Sequence, residues 1–105
     1  MADFMKLMQQ AQQMQSRLQE IQEELEKQTV TATSGGGMVT VTADGKGQVS
    51  QVKIDPSVVN PSDVEMLEDL VTVAVREVQK KAADLASTEM GKLTGGMNLP
   101  FKLPF

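Results

Sequence analysis

Cysteine, histidine, tryptophan and tyrosine are all missing from this 105-residue chain, and only three phenylalanines are present. Without cysteine there is no disulfide framework and no thiolate nucleophile. Without histidine there is no imidazole base, and without either residue no Cys/His zinc site can be built. Catalysis would rest on carboxylates, lysines or hydroxyls alone, which argues against an enzyme and against a metal or other cofactor. The scarcity of aromatics leaves a core of Val, Leu, Ile and Ala together with eight methionines, a side chain that adapts readily and recurs at contact surfaces. No run of about 18 apolar residues occurs, so no membrane span is expected. The polar, glutamine-rich opening lacks the charged-apolar-small pattern of an export signal. The length suits one domain, and a cytoplasmic location is expected.

Acidic residues outnumber basic ones, for a formal net charge of −4, which at first sight disfavours nucleic acid. The charge is unevenly placed. Residues 1–19 hold Lys6 and Arg17 against Asp3, whereas residues 20–27 hold Glu20, Glu23, Glu24 and Glu26 against Lys27. Asp63, Glu65, Glu68 and Asp69 form a second acidic run, and the end of the chain, with Arg76, Lys80, Lys81, Lys92 and Lys102, is mildly basic. Both ends are thus basic and the middle acidic.

Phe4, Leu7, Ala11, Met14, Leu18, Ile21 and Leu25 recur at spacings of three and four, which predicts one helix over 3–27 with a heptad seam. Three strands are expected next. Residues 29–33 and 38–43 alternate, with Val39, Val41 and Ala43 on one face, and 48–54 places Val52 and Ile54 together. Val49 is out of phase with that pair, which predicts a bulge near Ser50 or Gln51. Ser62-x-x-Glu65 reads as a capping box opening a second helix over 62–90, with the acidic run as first-turn chemistry and Gly91 as the C-cap. The helix stripe comprises Val64, Leu67, Leu70, Val71, Ala74, Val75, Val78, Ala82, Leu85 and Ala86. The expected organisation is a single unit over 1–91 followed by a flexible Gly/Pro-rich tail over 92–105.

Five glycines crowd into Thr33–Gly47, and such clusters can cradle phosphate. A phosphate loop leads from a strand into a helix N-terminus, yet both clusters here lead into strands. Gly35–Gly37 and Asp44-Gly45 are therefore read as hairpin turns, the second because Asp-Gly tolerates positive φ. Gly91-Lys92-Leu93-Thr94 is no Walker loop, because Leu93 stands where Ser or Thr is required and the upstream glycine position holds Ala86.

The fold class is thus α+β in the order α-β-β-β-α, with a three-stranded antiparallel sheet. Helices of 25 and 29 residues span about 37 and 43 Å, whereas three strands make a sheet only about 14 Å wide. Both helices must overhang it, and a homodimer is the economical way to cover their free seams and the sheet edges. Met38, Val39, Val41, Val52 and Ile54 are the candidate dimer contacts. Lys81 and Lys92 share a helix sector with Leu67, Ala74 and Leu85, which predicts that the end of the second helix projects from the core. Lys6, Gln10, Gln13 and Arg17 share the face of the first helix opposite its seam, and no acidic residue lies between Asp3 and Glu20.

The opening "MKLMQQAQQMQ", the hairpin "GGGMVTVTADGKG", the turn "VKIDPSVV" and the closing "EMGKLTGGMNLP" together resemble the YbaB/EbfC nucleoid-associated DNA-binding proteins of bacteria. The resemblance covers nearly the whole chain. It implies a cytoplasmic, nucleoid-associated homodimer whose long helices project like tweezers and engage duplex DNA, with effects on gene expression and no enzymatic activity. Candidate DNA contacts are Lys6, Gln10, Gln13 and Arg17 on the first helix, and Arg76, Lys80, Lys81 and Lys92 on or just after the second. Lysine and arginine suit phosphates, and glutamine suits phosphates or base edges. The competing reading, favoured by the acidic charge and the methionines, is a protein-interaction module of a replication or repair complex with no direct DNA contact.

Overall fold

The computed structural model describes residues 2–95. Helix α1 (Ala2–Lys27) leads into strands β1 (Thr29–Ser34), β2 (Val39–Asp44) and β3 (Val49–Ile54), and helix α2 (Val64–Gly95) closes the described chain. The sheet is antiparallel in the order β1-β2-β3. The α-β-β-β-α order is therefore as the sequence indicates. The molecule measures 72 × 24 × 16 Å with a radius of gyration of 19.6 Å, against about 13 Å for a compact domain of this length. Helices overhanging a small sheet produce that elongation.

Register decides which strand residues meet the core. Val39 pairs with Ile54, Val41 with Val52 and Ala43 with Val49, while Thr42 pairs with Gln51. Ser50 is therefore the extra residue of a bulge, and the bulge returns Val49 to the same face as Val52 and Ile54. On β1 the partners of Ala43, Val41 and Val39 are Val30, Ala32 and Ser34, so one face of the sheet is apolar and the other is largely threonine. Against the apolar face α2 lays Ala74 and Val78, with Leu67, Leu70, Val71 and Val75 at the margin. Ser34, buried among them, donates from Oγ to the Leu70 carbonyl at 2.6 Å.

Four local features differ from the sequence reading. Asp63, not Ser62, caps α2, its Oδ1 accepting from Met66 N at 3.2 Å; Ser62 N donates instead to Asn60 Oδ1 in the preceding turn. α2 passes through Gly91 and reaches Gly95, because a glycine inside a helix costs only about 1 kcal/mol and Leu93 is buried beyond it. The rest of the expected tail, residues 96–105, lies outside the described residues. In the β2–β3 turn the positive φ falls on Gly47 and not on Gly45. Gly45 is needed for space: its N–H donates to the carbonyls of Leu25 at 2.8 Å and Gln28 at 3.1 Å, and a Cβ there would stand 2.6 Å from the Leu25 oxygen. Asp44 Oδ1 completes the turn by accepting from Lys46 N and Gln48 N.

The two glycines therefore respond oppositely to the same change. Gly45→Ala is expected to lower unfolding free energy by about 2 kcal/mol through displacement of α1. Gly91→Ala, with nothing within 4 Å of the new methyl, is expected to raise it by about 0.5 kcal/mol. Urea unfolding followed by circular dichroism reads both.

Candidate nucleic-acid interface

Among the described residues, α1 is anchored only at its C-terminal end. Leu25 is buried and Ile21, Leu18 and Met14 are half-buried, but every residue from Asp3 to Gln13 is exposed. The anchor is the Gly45 contact, the exposed Lys46–Glu26 ion pair at 2.8 Å, and packing against the distal half of α2. An open cleft of about 640 Å³ runs between the two helices and the β2–β3 turn, lined by Ile21, Leu25, Ala82, Ala86 and Met90 among others. Among the described residues its one charged lining residue is Lys46, already paired with Glu26. Most of the lining is alanine, glycine and larger apolar side chains from the facing helices and the turn, with Ser87, Gln22 and Gln79 as its other polar groups.

Lys6, Gln10, Gln13 and Arg17 form a continuous row on α1, one residue per turn or nearly so, and all four are exposed. At 100° per residue the row lies about a quarter turn from the seam, rather than opposite it as the sequence reading had it. Gln13 and Arg17 also border a shallow polar trough with Gln9, Gln12 and Ser16. On α2, Arg76 and Lys80 are exposed one turn apart, away from the sheet-facing Ala74, Val78 and Ala82. Among the described residues no ion pair engages Lys6, Arg17, Arg76 or Lys80.

Lys81 and Lys92 are differently situated. Lys81 Nζ donates to the Thr31 carbonyl of β1 at 2.8 Å, tying α2 to the outer strand. Lys92 pairs with Glu89 at 3.3 Å. Arg17 and Lys92 border one groove between the helices, but Glu20, Glu24 and Glu89 border it too, so that groove is of mixed charge. The end of α2 leaves the sheet yet packs on α1, which accounts for buried Leu93 beside exposed Lys92. Within one chain the α1 row and the Arg76–Lys80 pair remain separate sites.

The pattern that defines the YbaB/EbfC DNA-binding family matches residues 1–97. The chain belongs to that family. This YbaB/EbfC-family protein is 55% identical over 98% of its length to a nucleoid-associated protein of Gemmatimonas aurantiaca, covering 99% of that relative. It is 52% identical to one from Paramagnetospirillum magneticum over 94% of each chain. It is 49% identical to one from Desulfotalea psychrophila, over 93% of this chain and 92% of the other. Among solved structures, an uncharacterised protein of Helicobacter pylori shares the fold, with a TM-score of 0.80 at 24% identity over 88% of this chain and 97% of that one. Among the described residues no helix is long and apolar enough to cross a membrane.

The second surface of interest is the sheet. Val39 and Val41 are 0% exposed, covered by α2 within the same chain, and so have nothing to offer a partner; the sequence reading had placed them at a dimer contact. Their cross-strand neighbours Ile54 and Val52 remain 36% and 43% exposed, with Met38, Val49 and Val59 also open. Sequence reasoning missed Val49 and Val59, although the bulge was a signal for the first.

Because Lys6, Arg17, Arg76 and Lys80 are exposed and pair with no carboxylate among the described residues, replacing each by glutamine is expected to change unfolding free energy by no more than about 0.5 kcal/mol. Lys81→Gln loses the Thr31 contact and is expected to cost more, by about 1 kcal/mol. Parallel urea curves check the set.

Proposed function

We propose that this family member binds duplex DNA as a homodimer, through the exposed cations and glutamines of its projecting helices, and in that way contributes to nucleoid organisation and gene expression in the cytoplasm. The observation that carries the reading is the row Lys6-Gln10-Gln13-Arg17. It lies on the exposed side of α1, along a stretch with no carboxylate between Asp3 and Glu20, and among the described residues neither of its cations is committed to an ion pair. Phosphates would be met by Lys6, Arg17, Arg76 and Lys80, with Gln10 and Gln13 bonding phosphates or base edges. Lys81 and Lys92, held by Thr31 and Glu89, contribute less. Glu20, Glu23, Glu24 and Glu26 at the anchored end of α1, and Glu65, Glu68 and Asp69 at the start of α2, repel DNA there, so contact is confined to the free half of α1 and the Arg76–Lys80 turn. Phosphate contact needs no catalytic group, and the reading is of a non-enzyme.

The dimer contact is the uncovered strip of the apolar sheet face. Val52 and Ile54 continue the plane of Val39 and Val41 beyond the reach of α2, and β3 also leaves a free edge. A second copy buries both at once. Met38 lies beside this strip.

Fluorescence anisotropy with a labelled duplex tests DNA contact. If a dimer neutralises about six phosphates, log K against log salt falls with a slope near −5. Lys6→Gln/Arg17→Gln and Arg76→Gln/Lys80→Gln should each flatten the slope and weaken binding alike on unrelated sequences, whereas Lys92→Gln changes little. Absence of binding by the folded protein at low salt rejects the reading. Separately, Val52→Asp/Ile54→Asp should convert a dimer to a monomer by light scattering, and a wild-type monomer rejects the sheet contact.

A further inference from the structure

The cleft between the helices is apolar and incompletely filled. Leu25, Gly45 and Ala82 in its lining are buried, but Ile21, Ala86 and Met90 are only half covered. Its volume of about 640 Å³ falls within the roughly 300–1,000 Å³ of sites that enclose a ligand. Residues 96–105 follow the last turn of α2, and their sequence has a pattern. Met97, Leu99, Phe101, Leu103 and Phe105 occupy every second position, so an extended chain presents all five on one face. Pro100 and Pro104 bar continuation of the helix and favour that extended form. Two of the chain's three phenylalanines lie here, which a solvated linker does not need.

We propose that residues 97–105 fold back from the end of α2 and occupy this cleft of their own chain, with Leu99, Phe101 and Leu103 set against Ile21, Ala86 and Met90. Length permits it. From Gly95 back to Met90 is about 7 Å of helix, and back to Ala82 about 20 Å, at 1.5 Å per residue. Reversal through Gly95-Gly96, where glycine tolerates positive φ, leaves a segment that extends to about 30 Å. Charge permits it as well. Lys102 is the one charged side chain of the segment, and the α1 wall of the cleft carries Glu20, Glu23, Glu24 and Glu26 in its last turns. The tether favours this occupant over a separate peptide, because a short linker holds its segment at an effective concentration on the order of millimolar. Concavity favours the cleft over the seam of α1 beyond Met14. A lone helix offers a convex surface, whereas the cleft meets an extended chain from both helices and from the β2–β3 turn.

Docked there, the segment bridges Ile21 of α1 and Met90 of α2. It adds to the hold that the Gly45 contact and the Lys46–Glu26 pair give to α1, and so fixes the direction in which the first half of that helix leaves the body. Lys6, Gln10, Gln13 and Arg17 do not line the cleft, and their row stays open. The inference depends neither on DNA contact nor on the strip at Val52 and Ile54.

The test uses the full chain without DNA. Since the sequence has no cysteine, an introduced disulfide reports proximity directly. Ala83 lines the cleft, and Thr88 is exposed on the opposite side of α2. Under mild oxidation, Leu103→Cys/Ala83→Cys should close within one chain about tenfold faster than Leu103→Cys/Thr88→Cys, at a rate independent of protein concentration. Hydrogen exchange at the amides of residues 21–25 should quicken about tenfold in Phe101→Asp/Leu103→Asp, whose changes lie beyond α2 and outside the sheet core. Equal closure of the two cysteine pairs overturns the proposal, as does exchange that Phe101→Asp/Leu103→Asp leaves unchanged. Disulfides that join two chains instead of closing one overturn it too, by assigning the cleft to a second copy.

Discussion

One helix cannot cover three strands. An α-helix with its side chains is about 10–12 Å across, whereas three strands spaced by about 4.8 Å make a wider face. α2 settles over β1 and β2, sealing Ala32, Val39, Val41 and Ala43 beneath Ala74 and Val78, and the third strand is left with apolar side chains in water. The bulge at Ser50 deepens the mismatch, because it turns Val49 to the same face as Val52 and Ile54. The surplus apolar width of the sheet and the surplus length of the helices have the same origin. The elements are built on a scale larger than one copy of this chain can bury.

Much of the architecture was legible because it rests on local periodicity. The 3–4 spacing from Phe4 to Leu25 and the alternation in β2 each admit one reading, and the misphased Val49 announced the bulge. What was not legible depends on tertiary neighbours. Gly45 has the sequence signature of a hairpin glycine, but the turn places its positive φ on Gly47, and the requirement at Gly45 is the Leu25 backbone. Gly91 has the signature of a C-cap, and packing of Leu93 carries the helix past it. Asp63 and Ser62 are equally good caps on paper; Asn60 engages Ser62 N and leaves the role to Asp63. Val39 and Val41 were indistinguishable from Val52 and Ile54 by pattern, since both pairs share a face and only the footprint of α2 separates them.

The candidate interface divides along the same line. Exposed cations on helices can be named from sequence, but their availability cannot. Lys80 and Lys81 are adjacent in sequence, yet one is free and the other bridges α2 to the Thr31 carbonyl. Lys92 has a carboxylate three residues back. Among the described residues, four of the six candidate cations therefore have their charge uncommitted, which suits modest, salt-sensitive attraction more than tight clamping.

The anchoring of α1 also has a mechanical side. The helix is held near Leu25 by a close backbone contact at Gly45 and runs unsupported for its first half. From Met14, the last half-buried residue, to Phe4 is about 15 Å of helix at 1.5 Å per residue. Over that length, a tilt of about 10° at the held end carries the tip through about 3 Å, roughly half the pitch of one helical turn. A stiff rod held along one half is a lever arm: a small tilt where it leaves the packing varies the spacing of its outermost side chains while the sheet core beneath α2 stays as it is.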